Sequence, residues 1–221
     1  MPDLNGTLHL DMWREYKERN SFFGRLRRAA RELFSAAPLY GLEWGDPETV
    51  SPLAFIRDQY VLRYVNPEQA ALEIGPGGGR WTRYLRGFRQ LYVVDYHPEL
   101  LQELKRNFNL PNMTFIQNNG ADFPGIPDGS IDFLFSFGCF VHLDAHLIEA
   151  YLKNMGRILK PNANVVIHYS DKTKILAQMN PAFSENTPER MRQMVAQSGF
   201  RILEEDLTTM WHSSIIRLQP R

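Results

Sequence analysis

The sequence predicts an α/β fold in which a mostly parallel sheet of seven strands carries helices on both faces and ends in an antiparallel C-terminal hairpin. From residue 68 onwards, short apolar segments alternate with helical patterns, which is typical of parallel strands joined by crossover helices. The last two apolar segments are close in the chain, so one of these strands must run antiparallel. Residues 1–65 carry few strand signals. We therefore predict an N-terminal helical cap or lid over 1–65 and an α/β domain over 66–221.

The individual elements follow from apolar spacing and from the glycine and proline signals between the segments. We predict the strands Ala70–Ile74, Gln90–Val94, Met113–Gln117, Ile131–Phe135, Ala163–Tyr169, Phe200–Asp206 and Ser213–Leu218. We predict helices over Trp81–Leu85, Pro98–Asn107, His146–Leu159 and Pro188–Ser198. This alternation brings the carboxyl ends of the parallel strands to one edge of the sheet, where ligands bind in such folds.

The N-terminal segment contains two further helical patterns and an aromatic loop. Apolar residues recur at helical spacing over 22–34, and an arginine-rich face over 25–31 is expected to be solvated. A helix-start signal at Asp46-Pro47 predicts a second helix over about 47–65. The loop before it carries Tyr40 and Trp44 among glycines. Two interpretations of this loop stay open: a lid over a site, or ordinary packing.

Composition limits the classes of function. The 221 residues include 25 basic and 25 acidic side chains, so no overall positive charge favours nucleic acid as a partner. Cys139 is the only cysteine, which excludes an intramolecular disulfide and a cysteine metal cluster. No stretch is apolar enough for a membrane span, and the first residues do not resemble a signal peptide. We therefore expect a cytoplasmic protein without a membrane partner.

The most informative motif is the glycine turn that follows the first predicted strand. Glu73 is the last residue but one of that strand, and Gly75, Gly77 and Gly79 then fall on alternate positions. Glycine allows φ > 0 and close approach of the backbone to a ligand, so a strand, such a turn and a following helix are typical of nucleotide-like cofactor sites. A dinucleotide fingerprint would require glycine where Arg80 stands, which argues against a nicotinamide cofactor.

A second motif lies at the end of the second strand. Asp95 follows the glycine turn by twenty residues, counted from Gly75. A carboxylate at this position can accept hydrogen bonds from both ribose hydroxyls of an adenosine cofactor. The alternative, an aspartate that caps the next helix, is common, but the glycine turn favours ribose binding.

Together these motifs resemble class I S-adenosylmethionine-dependent methyltransferases. The likeness covers residues 70–170 in the correct order and includes the segment Gly156–Asp171, in which a helix, a Lys-Pro turn and a strand follow one another. The resemblance implies a Rossmann-like fold and S-adenosyl-L-methionine as the cofactor. In the family an acidic residue after the third strand meets the adenine amino group. Here Asn119 stands at that place and Asp122 lies three residues later, so the assignment between them stays open.

The resemblance also implies the set of residues that contact the cofactor. In the family, the segment after the fourth strand passes beneath the methionine part of the cofactor. The implied cofactor-binding residues are Glu73, Gly75, Pro76, Gly77, Gly79, Asp95, Tyr96, Asn119, Gly120, Asp122, Ser136 and Phe137.

Candidate catalytic residues are fewer. Methyl transfer to a hydroxyl is assisted by a general base, and His142 is the first candidate because it follows the fourth strand at the ligand-binding edge. His146 is four residues later and can share its face. With Asp144 these histidines have a spacing that metal ligands also use, but magnesium prefers a cluster of oxygen ligands that is missing here, so we predict no metal.

The sequence therefore predicts a methyltransferase whose acceptor is an oxygen on a small molecule or a sugar. Balanced charge supports this choice, as does the absence of an Asn/Asp-Pro-Pro-aromatic signature after the fourth strand, where the chain reads Ser136-Phe137-Gly138-Cys139. Three alternatives stay open: a non-catalytic partner module that keeps the fold and cofactor, a nicotinamide-dependent oxidoreductase, and a tRNA or rRNA methyltransferase that uses the arginine-rich face.

Overall fold

The computed structural model describes residues 39–221, and all structural statements below concern this part of the chain. The strands are β1 Ala70–Ile74, β2 Gln90–Asp95, β3 Met113–Gln117, β4 Ile131–Ser136, β5 Leu159–Ser170, β6 Phe200–Asp206 and β7 Ser213–Pro220. The α-helices are α1 Ser51–Tyr60, α2 Thr82–Leu85, α3 Pro98–Asn107, α4 Ala145–Ile158, α5 Ile175–Gln178 and α6 Pro188–Ala196. Short 3₁₀ helices span Leu42–Trp44, Leu62–Tyr64 and Phe140–His142. The predicted helix over 22–34 and its arginine-rich face lie outside the described residues.

The strands form one sheet in the order β3-β2-β1-β4-β5-β7-β6. Strands β1 to β5 are parallel to one another, and β7 lies antiparallel between β5 and β6. The order reverses between β1 and β4, so a crevice opens at their carboxyl ends. This architecture confirms the predicted fold class, including the antiparallel C-terminal hairpin.

Each face of the sheet is covered by helices that bury their apolar stripes. On one face, α4 and α6 contribute buried residues such as Leu152, Met155 and Met191. On the other face, α1, α2 and α3 contribute buried residues such as Ile56 and Leu104. Because both faces are covered, β1 is buried at all five positions and reads as a continuous apolar run around Glu73. An acidic side chain within such a strand must face a polar site.

Several element boundaries differ from the predictions, for local physical reasons. The helix expected from Pro47 begins instead at Ser51. The Asp46 carboxylate accepts the backbone N–H of Glu48, and Asp46 also pairs with Arg83, so a turn closes before the helix begins. Strand β5 begins at Leu159 rather than Ala163, because Pro161 lies at a register shift between β4 and β5 where the regular ladder is already interrupted. The four-residue helix α5 was not predicted.

The two edges of the sheet differ in what they offer a ligand. A polar cavity of about 300 Å³ lies at the amino edge, against the beginnings of β4 and β5, where Asp132 and Lys160 are among its lining residues. The loops that carry the sequence motifs all lie at the opposite, carboxyl edge. Among residues 39–221, no helix has both the length and the apolar character needed to cross a membrane.

Candidate functional site

The glycine turn lies between β1 and α2 and has the backbone conformation that its sequence predicts. Gly75, Gly77 and Gly79 have φ values of +69°, +56° and +102°, which favour glycine. A Cβ atom at Gly75 would stand 2.5 Å from the Cβ of Cys139, and one at Gly79 would stand 2.2 Å from the ring of Phe108. The glycines therefore allow the turn to fit tightly against the loop after β4 and against the end of α3. Pro76 lies within the turn, and its carbonyl accepts the N–H of Gly79 over 3.1 Å.

Glu73 places a carboxyl group beneath this turn. Its side chain is buried and accepts a hydrogen bond of 2.6 Å from the hydroxyl of Thr82. Burial raises the pKa of Glu73 to about 8, and the charge of Asp95 raises it further, whereas the Thr82 hydrogen bond and Arg80 oppose the shift. No cation pairs with this carboxyl group within residues 39–221.

Asp95 ends β2, and its carboxyl group faces the same crevice. The side chain is 7% exposed, and one oxygen accepts the backbone N–H of His97 over 2.9 Å. Burial raises the pKa of Asp95 to about 7, because the backbone hydrogen bonds compensate only part of the desolvation. Tyr96 follows at the rim, and its ring lies 3.8 Å from where a Cβ at Gly120 would stand. A buried acid with spare acceptor capacity fits a pair of ligand hydroxyls.

The loop after β3 holds itself together with side-chain amides and a carboxylate. The side-chain oxygen of Asn119 accepts the backbone N–H groups of Ala121 and Asp122, each over 3.2 Å. One oxygen of Asp122 accepts the backbone N–H of Asn119 over 2.8 Å. Asn118, which the sequence analysis did not select, is buried and donates to the hydroxyl of Tyr151 over 2.9 Å. The Asn119 oxygen is already used by the loop, so the hydrogen bonding favours Asp122 as the acceptor for a ligand.

The end of β4 and the following residues close the crevice from the other side. Ser136 is fully buried, and its hydroxyl donates to the carbonyl of Ile74 over 2.9 Å, so it joins β4 to β1. The ring of Phe137 stacks on the imidazole of His168 with a centroid distance of 3.9 Å. The backbone N–H of Gly138 donates to Nδ1 of His168 over 3.1 Å. His168 thus positions the loop after β4.

His168 is held in one tautomer by its partners. Since Nδ1 accepts a backbone N–H, the proton lies on Nε2, which donates to the hydroxyl of Ser213. Burial, together with nearby His212 and Arg80, holds the pKa of His168 well below its ordinary value. Both ring nitrogens are engaged, so this histidine is suited to positioning rather than to proton transfer.

A group of aromatic rings links His168 to His142. We define the histidine cluster as His142, His168, His212 and Phe183. Phe183 lies 5.7 Å from His142 and 5.3 Å from His212, and His212 lies 6.2 Å from His168, measured between ring centroids. Nδ1 of His212 is buried without a hydrogen-bond partner in the described chain. The sequence analysis did not assign Phe183, because its approach to His142 and His212 depends on the loop after α5.

The two histidines predicted as catalytic have different surroundings. Nδ1 of His142 donates to the carbonyl of Ala182 over 2.8 Å, which leaves the lone pair on Nε2. Burial lowers the pKa of His142 below its ordinary value, and the Ala182 hydrogen bond opposes this only in part. His146 lies in the first turn of α4 and is exposed. The structure therefore brings His142, rather than His146, into the histidine cluster.

Residues before α1 cover the glycine turn. The ring of Tyr40 would contact a Cβ at Gly77 at 3.2 Å, and its backbone N would lie 2.5 Å from a Cβ at Gly78. The guanidinium of Arg80 donates to the carbonyl of Gly45 over 3.3 Å. Arg80 therefore lies between this segment and the loop after β4. Within residues 39–221, no three histidine, cysteine, aspartate or glutamate side chains are grouped so that they could hold a metal ion.

Comparison with known proteins agrees with this geometry. A family model for a methyltransferase domain matches residues 71–162, which contain the glycine turn, Asp95, the loop after β3 and the end of β4. Residues 71–162 are therefore similar to a methyltransferase domain, in agreement with the resemblance that the sequence motifs carry. No curated protein matches the sequence of this chain.

Solved structures share the fold of this chain at low sequence identity. The PH0226 protein of Pyrococcus horikoshii has a TM-score of 0.66 and 15% identity, covering 82% of this chain and 97% of its own. A SAM-dependent methyltransferase of Aquifex aeolicus has a TM-score of 0.56 and 19% identity, covering 81% and 92%. A geranyl diphosphate C-methyltransferase of Streptomyces coelicolor, in complex with Mg²⁺, geranyl diphosphate and S-adenosyl-L-homocysteine, has a TM-score of 0.62 and 14% identity, covering 76% of each chain.

The residues at the carboxyl edge fit S-adenosylmethionine, the cofactor that the resemblance implies. Asp95 is a buried carboxylate without a cationic partner in the described chain. Its oxygens can therefore accept hydrogen bonds from the ribose hydroxyls. Gly120 and Gly138 have positive φ values, and a Cβ at either position would meet nothing closer than 3.7 Å. These glycines leave open space beside the crevice rather than filling it.

Proposed function

We propose that this protein is an S-adenosylmethionine-dependent methyltransferase that transfers a methyl group to an oxygen of a small molecule or a sugar. The observation that carries the proposal is the position of His142 directly after β4, where the hydrogen bond between its Nδ1 and the Ala182 carbonyl orients the imidazole. A neutral imidazole beside a cofactor crevice is suited to accept the proton of a hydroxyl. The balanced charge of the chain gives no support for a nucleic-acid acceptor.

We assign the cofactor contacts to the residues selected from the sequence, with one refinement. Asp95 would accept the ribose hydroxyls, and Asp122 would accept the adenine amino group in preference to Asn119. The turn formed by Gly75, Pro76 and Gly77 would approach the cofactor through its backbone. Ser136 would act indirectly, because its hydroxyl is used by the Ile74 carbonyl.

The proposed chemistry requires little from the protein. When bound, S-adenosylmethionine supplies a methyl group that is activated by a positively charged sulfur. The protein aligns the acceptor and excludes water, and alignment alone is worth roughly 7–11 kcal/mol. Nε2 of His142 accepts the hydroxyl proton while the acceptor oxygen forms its bond to the methyl carbon. The N-terminal residues 1–65 would act as a cap, because Tyr40 already covers the glycine turn.

The test combines an acceptor screen with a histidine variant. Hydroxylated small molecules and sugars are incubated with tritiated S-adenosylmethionine, and methylated product is counted. For any acceptor found, His142→Asn should lower kcat by roughly 10²–10⁴-fold, as expected for loss of a general base. Calorimetry with S-adenosylhomocysteine should give wild-type affinity for this variant, which separates loss of the base from loss of the fold.

The pH profile gives an independent readout. A base works when it is unprotonated, and burial lowers the pKa of His142. The rate should therefore rise with pH through a midpoint below the ordinary histidine value and be flat at neutral pH. Loss of activity in His146→Asn instead would assign the base to His146. Full activity in both variants would contradict a histidine base.

A further inference from the structure

Arg80 is a buried charge at the centre of the site. Its side chain is 8% exposed, and burial lowers the pKa of its guanidinium to about 10. The guanidinium carbon lies 5.5 Å from the ring centroid of Phe137 and 5.8 Å from that of Trp81. The hydrogen bond from Nη1 to the Gly45 carbonyl is long, at 3.3 Å. Nε and Nη2 donate no hydrogen bond within residues 39–221, so most of the donor capacity of this group is unused.

The carboxylates near Arg80 form their hydrogen bonds and ion pairs with other groups. Glu43 accepts the backbone N–H of Gly41, Asp46 pairs with Arg83, and Glu73 accepts the hydroxyl of Thr82. None of these carboxylates lies within ion-pair distance of Arg80. A buried guanidinium that lacks an anion is costly, because its desolvation is not compensated by a paired charge. The fold therefore keeps a cation here at the expense of stability.

The position of Arg80 indicates where an anion would sit. Nη2 lies 3.7 Å from the position that a Cβ at Gly138 would occupy, and Gly138 has a φ of +83°. The missing side chain leaves space directly in front of the guanidinium. This space is at the end of β4, which β1 separates in the sheet from β2 and β3, the strands that carry Asp95 and the loop after β3.

We propose that Arg80 is the anion-binding residue of this crevice and pairs with a carboxylate or phosphate group of the bound ligands at the end of β4. Two sources have this chemistry: the carboxylate of the cofactor's methionine part, and an anionic group on the acceptor. A planar guanidinium with free donors is suited to bidentate pairing with either. The inference rests on the cofactor placement proposed above.

The test compares Arg80→Met with wild type by calorimetry on the full chain. Arg86→Met is the matched control, because Arg86 follows α2 on the surface and its Nε donates only to the Arg83 carbonyl. The probes are S-adenosylhomocysteine, 5′-methylthioadenosine, which lacks the amino acid, and inorganic phosphate added to protein saturated with S-adenosylhomocysteine. Thermal unfolding of the apoprotein is measured for all three proteins.

If the anion belongs to the cofactor, Arg80→Met should lower the affinity for S-adenosylhomocysteine by about 30-fold or more, which corresponds to about 2 kcal/mol of binding free energy. It should then leave 5′-methylthioadenosine unchanged. If the anion belongs to the acceptor, S-adenosylhomocysteine should bind equally to both proteins. Phosphate should then bind the saturated wild type and the Arg86→Met variant but not Arg80→Met. In either case, the apoprotein midpoint should be unchanged or raised in Arg80→Met, because an uncompensated charge is removed.

Other results would overturn the inference. If Arg80→Met lowers the affinity for both adenosyl probes equally and also lowers the unfolding midpoint, Arg80 only holds the segment around Gly45 in place. Wild-type behaviour of Arg80→Met with every probe would also exclude anion binding. If wild type binds no adenosyl probe, the proposed cofactor placement fails separately. Phosphate binding to the apoprotein then tests Arg80 by itself. Binding to wild type that is lost in Arg80→Met would support Arg80 as the anion-binding residue, and no binding to wild type would contradict it.

Discussion

The charged residues at the two edges of the sheet differ in whether they form ion pairs. At the amino edge, Asp132 forms an ion pair of 2.7 Å with Lys160 and also accepts the backbone N–H of Ala70. At the carboxyl edge, Glu73, Asp95 and Arg80 are more deeply buried, yet none of them forms an ion pair in the described chain. Unpaired charges destabilise a folded protein unless a ligand completes them. The difference agrees with the proposal that ligands bind at the carboxyl edge.

The largest expected effect comes from removing the acid at the end of β2. Asp95→Ala should lower the affinity for S-adenosylhomocysteine by about 100-fold, because hydrogen bonds to a charged group contribute roughly 1.5–3 kcal/mol each. Calorimetry measures the loss, and nicotinamide dinucleotides should show no binding to either protein. An affinity equal to that of wild type would mean that Asp95 does not accept hydrogen bonds from the ribose hydroxyls. The unpaired acid at the carboxyl edge would then have no role in cofactor binding.

A smaller effect should be visible in the stability of the apoprotein. Folding raises the pKa of Glu73 to about 8 and that of Asp95 to about 7. The folded state therefore binds more protons than the unfolded state between roughly pH 4 and pH 8, and the free energy of unfolding should fall as pH rises through this window. Urea titrations from pH 5 to pH 8 measure the slope. The double variant Glu73→Gln, Asp95→Asn should flatten it, and an unchanged slope would assign the effect to other groups.

The smallest effect is expected at the amino edge. Lys160→Met should lower the free energy of unfolding by no more than about 1 kcal/mol, because the lysine is partly exposed and such pairs contribute little. The affinity for S-adenosylhomocysteine should not change. A loss of cofactor affinity in this variant would show that the two edges are energetically coupled and would remove the distinction drawn above.

Local patterns predicted most of the fold. Strand β3, helix α3 and strand β6 have the predicted boundaries, because each is bounded by proline, glycine or asparagine signals. The start of α1 was wrong, since Asp46 is used by Glu48 and by Arg83. The latter partner lies across the glycine turn and cannot be read from neighbouring residues.

The site was predictable where a motif is local and unpredictable where several loops meet. The glycine turn and Asp95 are adjacent to strands whose positions the sequence indicates. Arg80 entered the sequence analysis only as evidence against a dinucleotide fingerprint. Its burial depends on the segment around Gly45 and on the loop after β4, which are distant in the chain. The two hydrogen bonds of His168 likewise depend on Gly138 and on Ser213 in β7, which are distant in the chain.

The contact between Gly75 and Cys139 also limits how this sequence can change. A Cβ at Gly75 would stand 2.5 Å from the Cβ of Cys139, so the turn and the loop after β4 share one small volume. Any side chain added at position 75 must displace the loop that carries Phe137 and Gly138. A larger residue at position 139 would in turn press on the glycine turn. The two positions are therefore expected to vary together among related sequences, although they are far apart in the chain.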